Sequence, residues 1–164
     1  MKVTAKQPVY FSHLVGGLIY MCGDTIAALI LGEATLIRAA GMFAVGSTLY
    51  AFEIRKYFSW IEHRVKEHGE FKRTMLKTFM ALIYFNPLWI FRHLCFVYLF
   101  SGNWSLISIA LLKSATIAFI FNIPISLLAN YIIQNRIRLD YRFWASAVFS
   151  GLMAIYYSMS SVWF

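Results

Sequence analysis

Long apolar stretches, repeated from the beginning of the sequence to its end, constrain this chain more than any other feature. About 20 helical residues cross the roughly 30 Å hydrocarbon core of a bilayer, because a helix rises about 1.5 Å per residue and satisfies its own backbone hydrogen bonds. With 60% hydrophobic and 13% charged residues, the chain has more apolar surface than one soluble core can bury. We therefore predict an all-α fold, a polytopic membrane helical bundle of about five transmembrane helices that forms a single domain over residues 1–164. The predicted helices cover residues 9–31, 35–54, 75–100, 104–133 and 143–164.

Two of the five stretches are irregular. The second is followed by apolar residues at helical spacing among charges, which predicts that its helix extends past the membrane to residue 68 and ends near Gly69. The fourth is overlong and contains both Lys113 and Pro124, so its first half could lie in the membrane interface instead of spanning.

The formal net charge is +8, and most of the basic residues fall in the short connections between apolar stretches. Short loops on the cytoplasmic or matrix side of a membrane collect Lys and Arg. Five crossings place the tail with Lys2 and Lys6, the loop 55–77 and the loop 135–142 on one side, as this rule requires. Membrane topology therefore accounts for the charge, and we predict membrane lipids as partners and no nucleic acid.

Three ionisable residues lie inside the predicted spans, where a charge is costly unless it is paired or hydrated. Asp24 lies about 22 Å into the first helix and Arg92 about 25 Å into the third, both from the basic side, and Lys113 lies about 13 Å into the fourth from the opposite side. These depths fall within one leaflet, so we predict that Asp24 pairs with Arg92 or Lys113. Arg38 would add positive charge to the same mouth, and His93 would be a hydrogen-bonded partner in this polar cluster.

The predicted cluster has two interpretations. It could form a polar, net-positive constriction that favours small anionic solutes, or it could be a structural ion pair that fixes the order and register of the helices. Small residues four apart, such as Gly23 with Ala27, Ala40 with Ala44 and Ala147 with Gly151, likewise predict close helix packing, within the chain or in a dimer.

The sequence offers little for catalysis, so we predict no enzyme, no cofactor and no metal site. His13 and His93 lie about 20 Å apart along the membrane normal, too far for one haem iron to bind both. Metal-ligand types occur together at Glu62, His63, Glu67, His68 and Glu70, but a solvated helical extension gives the same pattern. The sequence contains no nucleophile-elbow, Walker or dinucleotide-binding motif.

A set of short motifs occurs in one order along the chain. Gly23-Asp24 ends the first predicted helix, Tyr141-Arg142 precedes the last, and the motif residues between them are Arg38, Gly41, Gly46, Lys77, Pro87, Trp89, Gly102, Pro124 and Asn130. Their order and spacing resemble those of the Mpv-seventeen family of mitochondrial and peroxisomal membrane proteins, which includes the peroxisomal membrane protein of 22 kDa. The chain departs from the family where it has Ala81-Leu82 instead of Asp-Gln and Ser47 instead of Pro.

The resemblance implies an organellar membrane, the mitochondrial inner membrane first and the peroxisomal membrane as the alternative. It implies a weakly selective small-solute channel without enzymatic activity. The lost polar positions leave a second hypothesis open, a non-catalytic accessory subunit of a larger mitochondrial membrane complex such as the respiratory chain or ATP synthase. Its partners would be other subunits of that complex, and those of a channel could be further copies of itself.

Overall fold

The computed structural model describes residues 9–163, which contain helices and no strand. This confirms the predicted all-α fold, whereas Lys2, Lys6 and Phe164 lie outside the described residues. The helices are α1 (Val9–Ile30), α2 (Leu36–Val45), α3 (Ala51–Arg64), α4 (Glu70–Tyr84), α5 (Pro87–Phe100), α6 (Ala110–Asn135) and α7 (Leu139–Trp163).

The second predicted stretch is one helical rod that changes pitch in its middle. Thr35 begins it by accepting a hydrogen bond from the Arg38 backbone N–H at 3.1 Å. Between α2 and α3 lies a single π-helical turn, Gly46–Tyr50, where Gly46 packs against the backbone of α1 and a methyl group would meet the Gly16 carbonyl oxygen. The rod continues to Arg64, four residues short of the predicted end at residue 68, and a turn follows it.

The third predicted stretch is bent. The sequence predicts one helix over 75–100, but the helix starts earlier, at Glu70, and breaks between α4 and α5 at Phe85 and Asn86. Pro87 has no N–H to donate and disfavours helical backbone at the residue before it. Asn86 then caps α5, since its Oδ1 accepts from the N–H groups of Leu88 and Trp89 at 2.9 and 3.1 Å.

The fourth predicted stretch begins later than expected. After the turn at Gly102, whose φ is +75°, a short 3₁₀ helix covers Trp104–Leu106, and α6 starts only at Ala110. From there α6 is one helix to Asn135 with Pro124 inside it, so its first half is not a separate element. Lys113 is the fourth residue of α6 and is exposed.

Contacts at the two ends of the bundle fix the directions of the helices. The rings of Phe11 and Trp144 are 5.6 Å apart, and Ser158 Oγ lies 3.4 Å from Asp24, so α1 and α7 run parallel. At one end, which we call the basic end, Glu62 binds both Lys77 and Arg142. The loops 55–77 and 135–142 therefore meet at one end of the bundle, as the charge pattern predicts.

Two of the small-residue pairs pack closely within the chain, and this contact joins α1 to α7. A methyl group on Gly23 would overlap the backbone carbonyl of Gly151, which shows that the two helix backbones touch there. Ala27 and Ala147 are buried nearby. The pair Ala40 and Ala44 is exposed among the described residues.

Three helical segments are long and apolar enough to cross a membrane: His13–Ile30, Glu70–Phe100 and Ala110–Asn135. This supports a membrane protein. The count of five spans stays a prediction.

Candidate functional site

A buried ion pair lies at the end of the bundle opposite the basic end. Arg38 Nε and Nη2 donate to the two carboxylate oxygens of Asp24 at 2.8 and 2.9 Å, and both side chains are at most 1% exposed. Arg38 Nη1 also donates to Glu33 at 3.0 Å and to Ser101 Oγ at 3.4 Å. We call these four residues the Asp24–Arg38 cluster. The short loop between α1 and α2 brings Arg38 near Asp24, because Arg38 lies only one helical turn after Thr35, the residue that caps α2.

The predicted pairing of Asp24 with Arg92 or Lys113 is wrong. The prediction measured depth from the first apolar residue of each stretch, but α4 starts at residue 70 and α6 at residue 110. Depth alone also does not decide which side of a helix a residue faces. The predicted positive mouth is wrong too, since one guanidinium (Arg38) and two carboxylates (Asp24 and Glu33) give 1 − 2 = −1.

Arg92 pairs instead with Glu53, which the sequence analysis had not considered. Its Nη1 and Nη2 donate to the two Glu53 oxygens at 2.8 and 2.7 Å, and Tyr84 OH donates to Oε2 at 2.6 Å. Arg92 is 38% and Glu53 29% exposed, so this pair lies on the outside of the bundle.

His93 does form the predicted hydrogen bond in the interior, but its partner is aromatic. The ring Nδ1 lies 2.6 Å from Tyr20 OH, and the Tyr20 ring stacks on that of Tyr50. Tyr50 OH is in turn hydrogen-bonded to Ser150 at 2.8 Å and Ser146 at 3.2 Å. Buried hydrogen bonds and one aromatic ring contact thus join α1, the π-helical turn, α5 and α7.

A stripe of buried polar residues follows one face of α6, at Asn122, Ser126, Asn130 and Gln134. Asn122 Nδ2 donates to Ser126 Oγ at 2.8 Å and to Tyr157 OH at 3.0 Å, while Asn130 Nδ2 donates to the Ser126 carbonyl at 2.8 Å. Within the described residues, Asn130 Oδ1 and both polar atoms of the Gln134 amide have no hydrogen-bond partner. Buried groups of this kind are normally satisfied by water or a bound solute. We call these four residues the α6 polar stripe.

The basic end holds a second ionic cluster, formed by Glu62, Lys77 and Arg142. Lys77 Nζ donates to Glu62 at 2.7 Å and Arg142 Nη1 donates at 2.6 Å, and both cations are 7% exposed. Arg142 Nε also donates to the Ile137 carbonyl at 2.9 Å. Among residues 9–163, no group of three or more metal-ligand side chains lies close enough together to hold a metal ion. The sequence placed Lys77 and Arg142 in family motifs but did not predict that Glu62 joins them.

The α6 polar stripe lies at levels between the two clusters. Ser158 contacts Asp24 at one end, beside Tyr157, which receives the hydrogen bond from Asn122. The stripe then continues for 12 residues, about 18 Å, to Gln134. Its neighbour Asn135 donates to Thr78 at 3.0 Å, next to Lys77 at the basic end. Buried polar side chains therefore occur at successive levels between the Asp24–Arg38 cluster and the Glu62 cluster, and we call this series the buried polar file.

Two of the other family-motif residues, Gly41 and Trp89, pack against aromatic rings. Gly41 packs under the ring of Phe100, and Trp89 is buried near His93, whose ring centroid is 6.2 Å away. Tyr141 is exposed at the start of α7.

No protein-family model, curated protein or solved structure matches this chain. The resemblance to the Mpv-seventeen family therefore rests on the motifs alone and stays a prediction.

Replacing Glu62 with glutamine is expected to lower the free energy of unfolding by about 1–2 kcal/mol near pH 7, since two charge-assisted hydrogen bonds at a partly exposed site weaken. Burial raises the pKa of Glu62, but the hydrogen bonds from Lys77 and Arg142 outweigh it and lower this pKa overall. The stabilisation is therefore complete above the unfolded carboxyl pKa of about 4.3 and is lost as the pH falls through the lower folded-state pKa.

Thermal unfolding in detergent measures this effect. The difference in Tm between the wild type and Glu62→Gln should be smaller at about pH 3 than at about pH 7. Glu67→Gln, an exposed position in the turn after α3, is the control and should change little. An undiminished difference at the acidic pH would contradict the assignment.

Proposed function

We propose that this chain is a five-span bundle of an organellar inner membrane that acts as a weakly selective channel for small solutes. The observation that carries the proposal is the buried polar file between the two ionic clusters. Polar groups inside a membrane bundle cost free energy unless they bind each other, water or a solute. A line of such groups between the two membrane surfaces therefore favours a path for small solutes.

The distance between the clusters supports five spans. Arg38 and Glu62 are 24 residues apart on the α2–α3 rod, which corresponds to about 36 Å. Arg142 and Ser158, whose side chains contact the two clusters, are 16 residues apart on α7, about 24 Å. The first value is somewhat larger and the second somewhat smaller than the roughly 30 Å of a bilayer core, so each cluster would lie near one membrane surface.

The two clusters would act as the gates of this path. At one end the Arg38 guanidinium bridges α1 and α2 by binding Asp24, and at the other Glu62 holds α4 and α7 together through Lys77 and Arg142. Between them, Asn130 Oδ1 and the amide of Gln134 offer polar atoms that have no hydrogen-bond partner among residues 9–163. The net charges of the clusters are −1 for Asp24, Glu33 and Arg38 (1 − 2) and +1 for Glu62, Lys77 and Arg142 (2 − 1). Opposite small charges at the two ends favour weak selectivity between anions and cations.

Conductance of the purified protein in planar bilayers tests the channel. We expect discrete conductance from the wild type and a reduction of about ten-fold in Asn130→Leu and in Gln134→Leu, because an apolar side chain removes a hydration site from the path. Asn103→Leu makes the same change in an exposed loop and should conduct like the wild type. Absence of conductance from pure protein, or equal conductance in all variants, would reject the channel.

A structural accessory subunit is the second candidate. The outward face of α2 favours it, because the small pair Ala40 and Ala44 is exposed there, close to Leu36 and Ile37, which are 89% and 72% exposed. Such a face allows close approach of a helix from another chain. Purification in mild detergent followed by native mass measurement separates the candidates, since a free monomer or small homo-oligomer would exclude the subunit.

The proposed location is the mitochondrial inner membrane, with the peroxisomal membrane as the alternative. The ordered motifs from Gly23-Asp24 to Tyr141-Arg142 support it, together with the basic residues that gather at one end of the bundle. Fractionation of the organelles tests it directly.

A further inference from the structure

The outward face of α4 is apolar along the helix and carries a cation at the basic end. Phe79 and Ile83 are exposed on this face. Lys72 precedes them by seven and eleven residues, spacings that place side chains on the same side of a helix. The Lys72 side chain is itself exposed, and among residues 9–163 it has no acidic partner.

The outward face of α6 has the same arrangement in the reverse chain direction. Ile125, Leu128 and Ile132 are exposed, and Arg136 follows Ile132 by four residues. The backbone is still helical at Arg136, whose N–H donates to the Ile132 carbonyl at 2.9 Å, so the cation stays on the exposed face. Its guanidinium lies 5.8 Å from the centre of the Tyr131 ring, and Nη2 donates to Tyr131 OH at 3.3 Å. A guanidinium has five N–H donors, and no carboxylate among the described residues binds the others.

The two outward faces border one seam. α4 begins at the basic end and α6 finishes there, so these helices are antiparallel, and they pack against each other. Asn135 Nδ2 joins them near the basic end by donating to Thr78 Oγ1 at 3.0 Å. Thr78 and Gln134 are buried toward the interior, so the opposite faces of both helices point outward together. We call this outward surface the α4–α6 seam; it is lined by Lys72, Phe79, Ile83, Ile125, Ile132 and Arg136.

The depth of the two cations follows from the spans. Glu70–Phe100 and Ala110–Asn135 are two of the three segments that are long and apolar enough to cross a membrane. Lys72 is the third residue of the first segment, and Arg136 directly follows the second. In a membrane, acyl chains cover the exposed apolar side chains of the seam, and both cations lie at the level of the lipid head groups.

The charge at the basic end favours an anionic head group. The loops 55–77 and 135–142 hold ten Lys and Arg and four Asp and Glu, which gives 10 − 4 = +6. The other described residues hold three of each kind, which gives 3 − 3 = 0. A zwitterionic lipid would add its own ammonium group to this positive end, whereas an anionic phospholipid adds a phosphate without a cation.

We propose that the α4–α6 seam binds one anionic phospholipid of the surrounding membrane, with its phosphate on Arg136 and its acyl chains along the apolar side chains of both helices. The Arg136 guanidinium donates charge-assisted hydrogen bonds to the phosphate oxygens, and Lys72 adds a second positive charge from α4. Because Tyr131 already orients the guanidinium, little side-chain freedom is lost on binding. The site lies on the outside of the bundle and uses neither the buried polar file nor a fixed number of five spans.

Native mass spectrometry of the full chain in detergent tests the site. The protein is titrated separately with dioleoylphosphatidylglycerol and with dioleoylphosphatidylcholine, which have the same acyl chains and differ in net charge. We expect the wild type to bind phosphatidylglycerol about ten-fold more tightly, and Lys72→Gln/Arg136→Gln to lose this preference while binding phosphatidylcholine as before. Equal affinities of the wild type for the two lipids would overturn the proposal.

A matched variant separates the seam from the general charge of the basic end. Lys56→Gln/Arg64→Gln also removes one lysine and one arginine there, but both are exposed on α3 and outside the seam. This variant should keep the preference for phosphatidylglycerol. The same loss of affinity in both double variants would overturn the site, because the lipid would then respond only to the overall charge.

Two further measurements identify the occupant and guard against misfolding. Excess inorganic phosphate should leave the bound phosphatidylglycerol in place, since it cannot replace the acyl-chain contacts; displacement would overturn the proposal in favour of a free-anion site. A dimer that forms only without the lipid would overturn it in favour of a second copy. If Lys72→Gln/Arg136→Gln unfolds at a lower temperature than the wild type, Arg136→Lys replaces it, because this variant keeps the charge and removes only the forked donors. It should weaken phosphatidylglycerol binding about three-fold, and unchanged binding would contradict the role of Arg136.

The outcome is separate from that of the channel. Lys72→Gln/Arg136→Gln changes the lipid-facing side alone, so its conductance should equal that of the wild type. A lost lipid preference with intact conductance supports the site, and a lipid preference in a protein without conductance rejects the channel alone.

Discussion

Replacing Arg38 with glutamine is expected to lower the free energy of unfolding by about 3–5 kcal/mol, because the Asp24 carboxylate then stays buried without a counter-charge. The structure leaves Asp24 few alternatives. It is 0% exposed, its two oxygens face Nε and Nη2 of Arg38, and its remaining contact is the Ser158 hydroxyl at 3.4 Å. A hydroxyl cannot replace a guanidinium, so the buried carboxylate loses its counter-charge and the packing of α1 against α2 weakens.

A double-mutant cycle measures the coupling between the two side chains. Asp24→Asn and Arg38→Gln should each be strongly destabilising in denaturant titrations in detergent, whereas the double variant should be less destabilised than the sum of the two. Arg138→Gln breaks an exposed ion pair, in which the side chains are 65% and 60% exposed, and should cost less than about 1 kcal/mol. Additive losses in the cycle would show that Asp24 and Arg38 do not interact in the folded protein.

Replacing Gly23 with alanine is expected to be destabilising by about 3 kcal/mol, the upper part of the range for overpacked sites. The added methyl group would overlap the carbonyl of Gly151, which is a backbone atom and cannot rotate away like a side chain. Moving α7 outward would also separate Ser158 from Asp24, so the loss would extend to the buried ion pair.

The same substitution at Gly69 is the control for Gly23→Ala. A Cβ at Gly69 would meet no atom within 4 Å, and Gly69 precedes α4 with a φ of −58°, which alanine also adopts. Gly69→Ala should therefore change the Tm by little. Equal Tm values for Gly23→Ala and the wild type would mean that α1 and α7 do not pack as closely as described.

The sequence predicted which segments are helical but not where each helix ends. Apolar stretches are visible in hydropathy, whereas the start of α4 at Glu70 and the break at Asn86 depend on capping and on Pro87. Proline disfavours helical backbone at the residue before it, which here is Asn86. The apolar residues on both sides of Asn86 nevertheless predict one continuous helix. The late start of α6 similarly follows from the turn at Gly102.

The candidate site was predicted only in part. The sequence singled out Asp24, Arg38 and His93, and all three are buried in the interior. Their partners depend on the rotation of each helix about its axis, which depth does not give. The α6 polar stripe was readable, since Asn122, Ser126, Asn130 and Gln134 recur every four residues. Its continuation to Asp24 through Ser158 involves residues 134 positions apart and required the tertiary structure.

The parallel packing of α1 against α7 has a consequence for biosynthesis. Ribosomes release α1 first and α7 last, so the surface of α1 around Gly23, which α7 covers in the folded chain, stays uncovered until synthesis ends, even after Arg38 of α2 has paired with Asp24. A product that stops before residue 139 therefore leaves this face open to lipid or to a chaperone. Quality control that recognises uncovered polar residues in membranes would distinguish truncated chains from complete ones at this face.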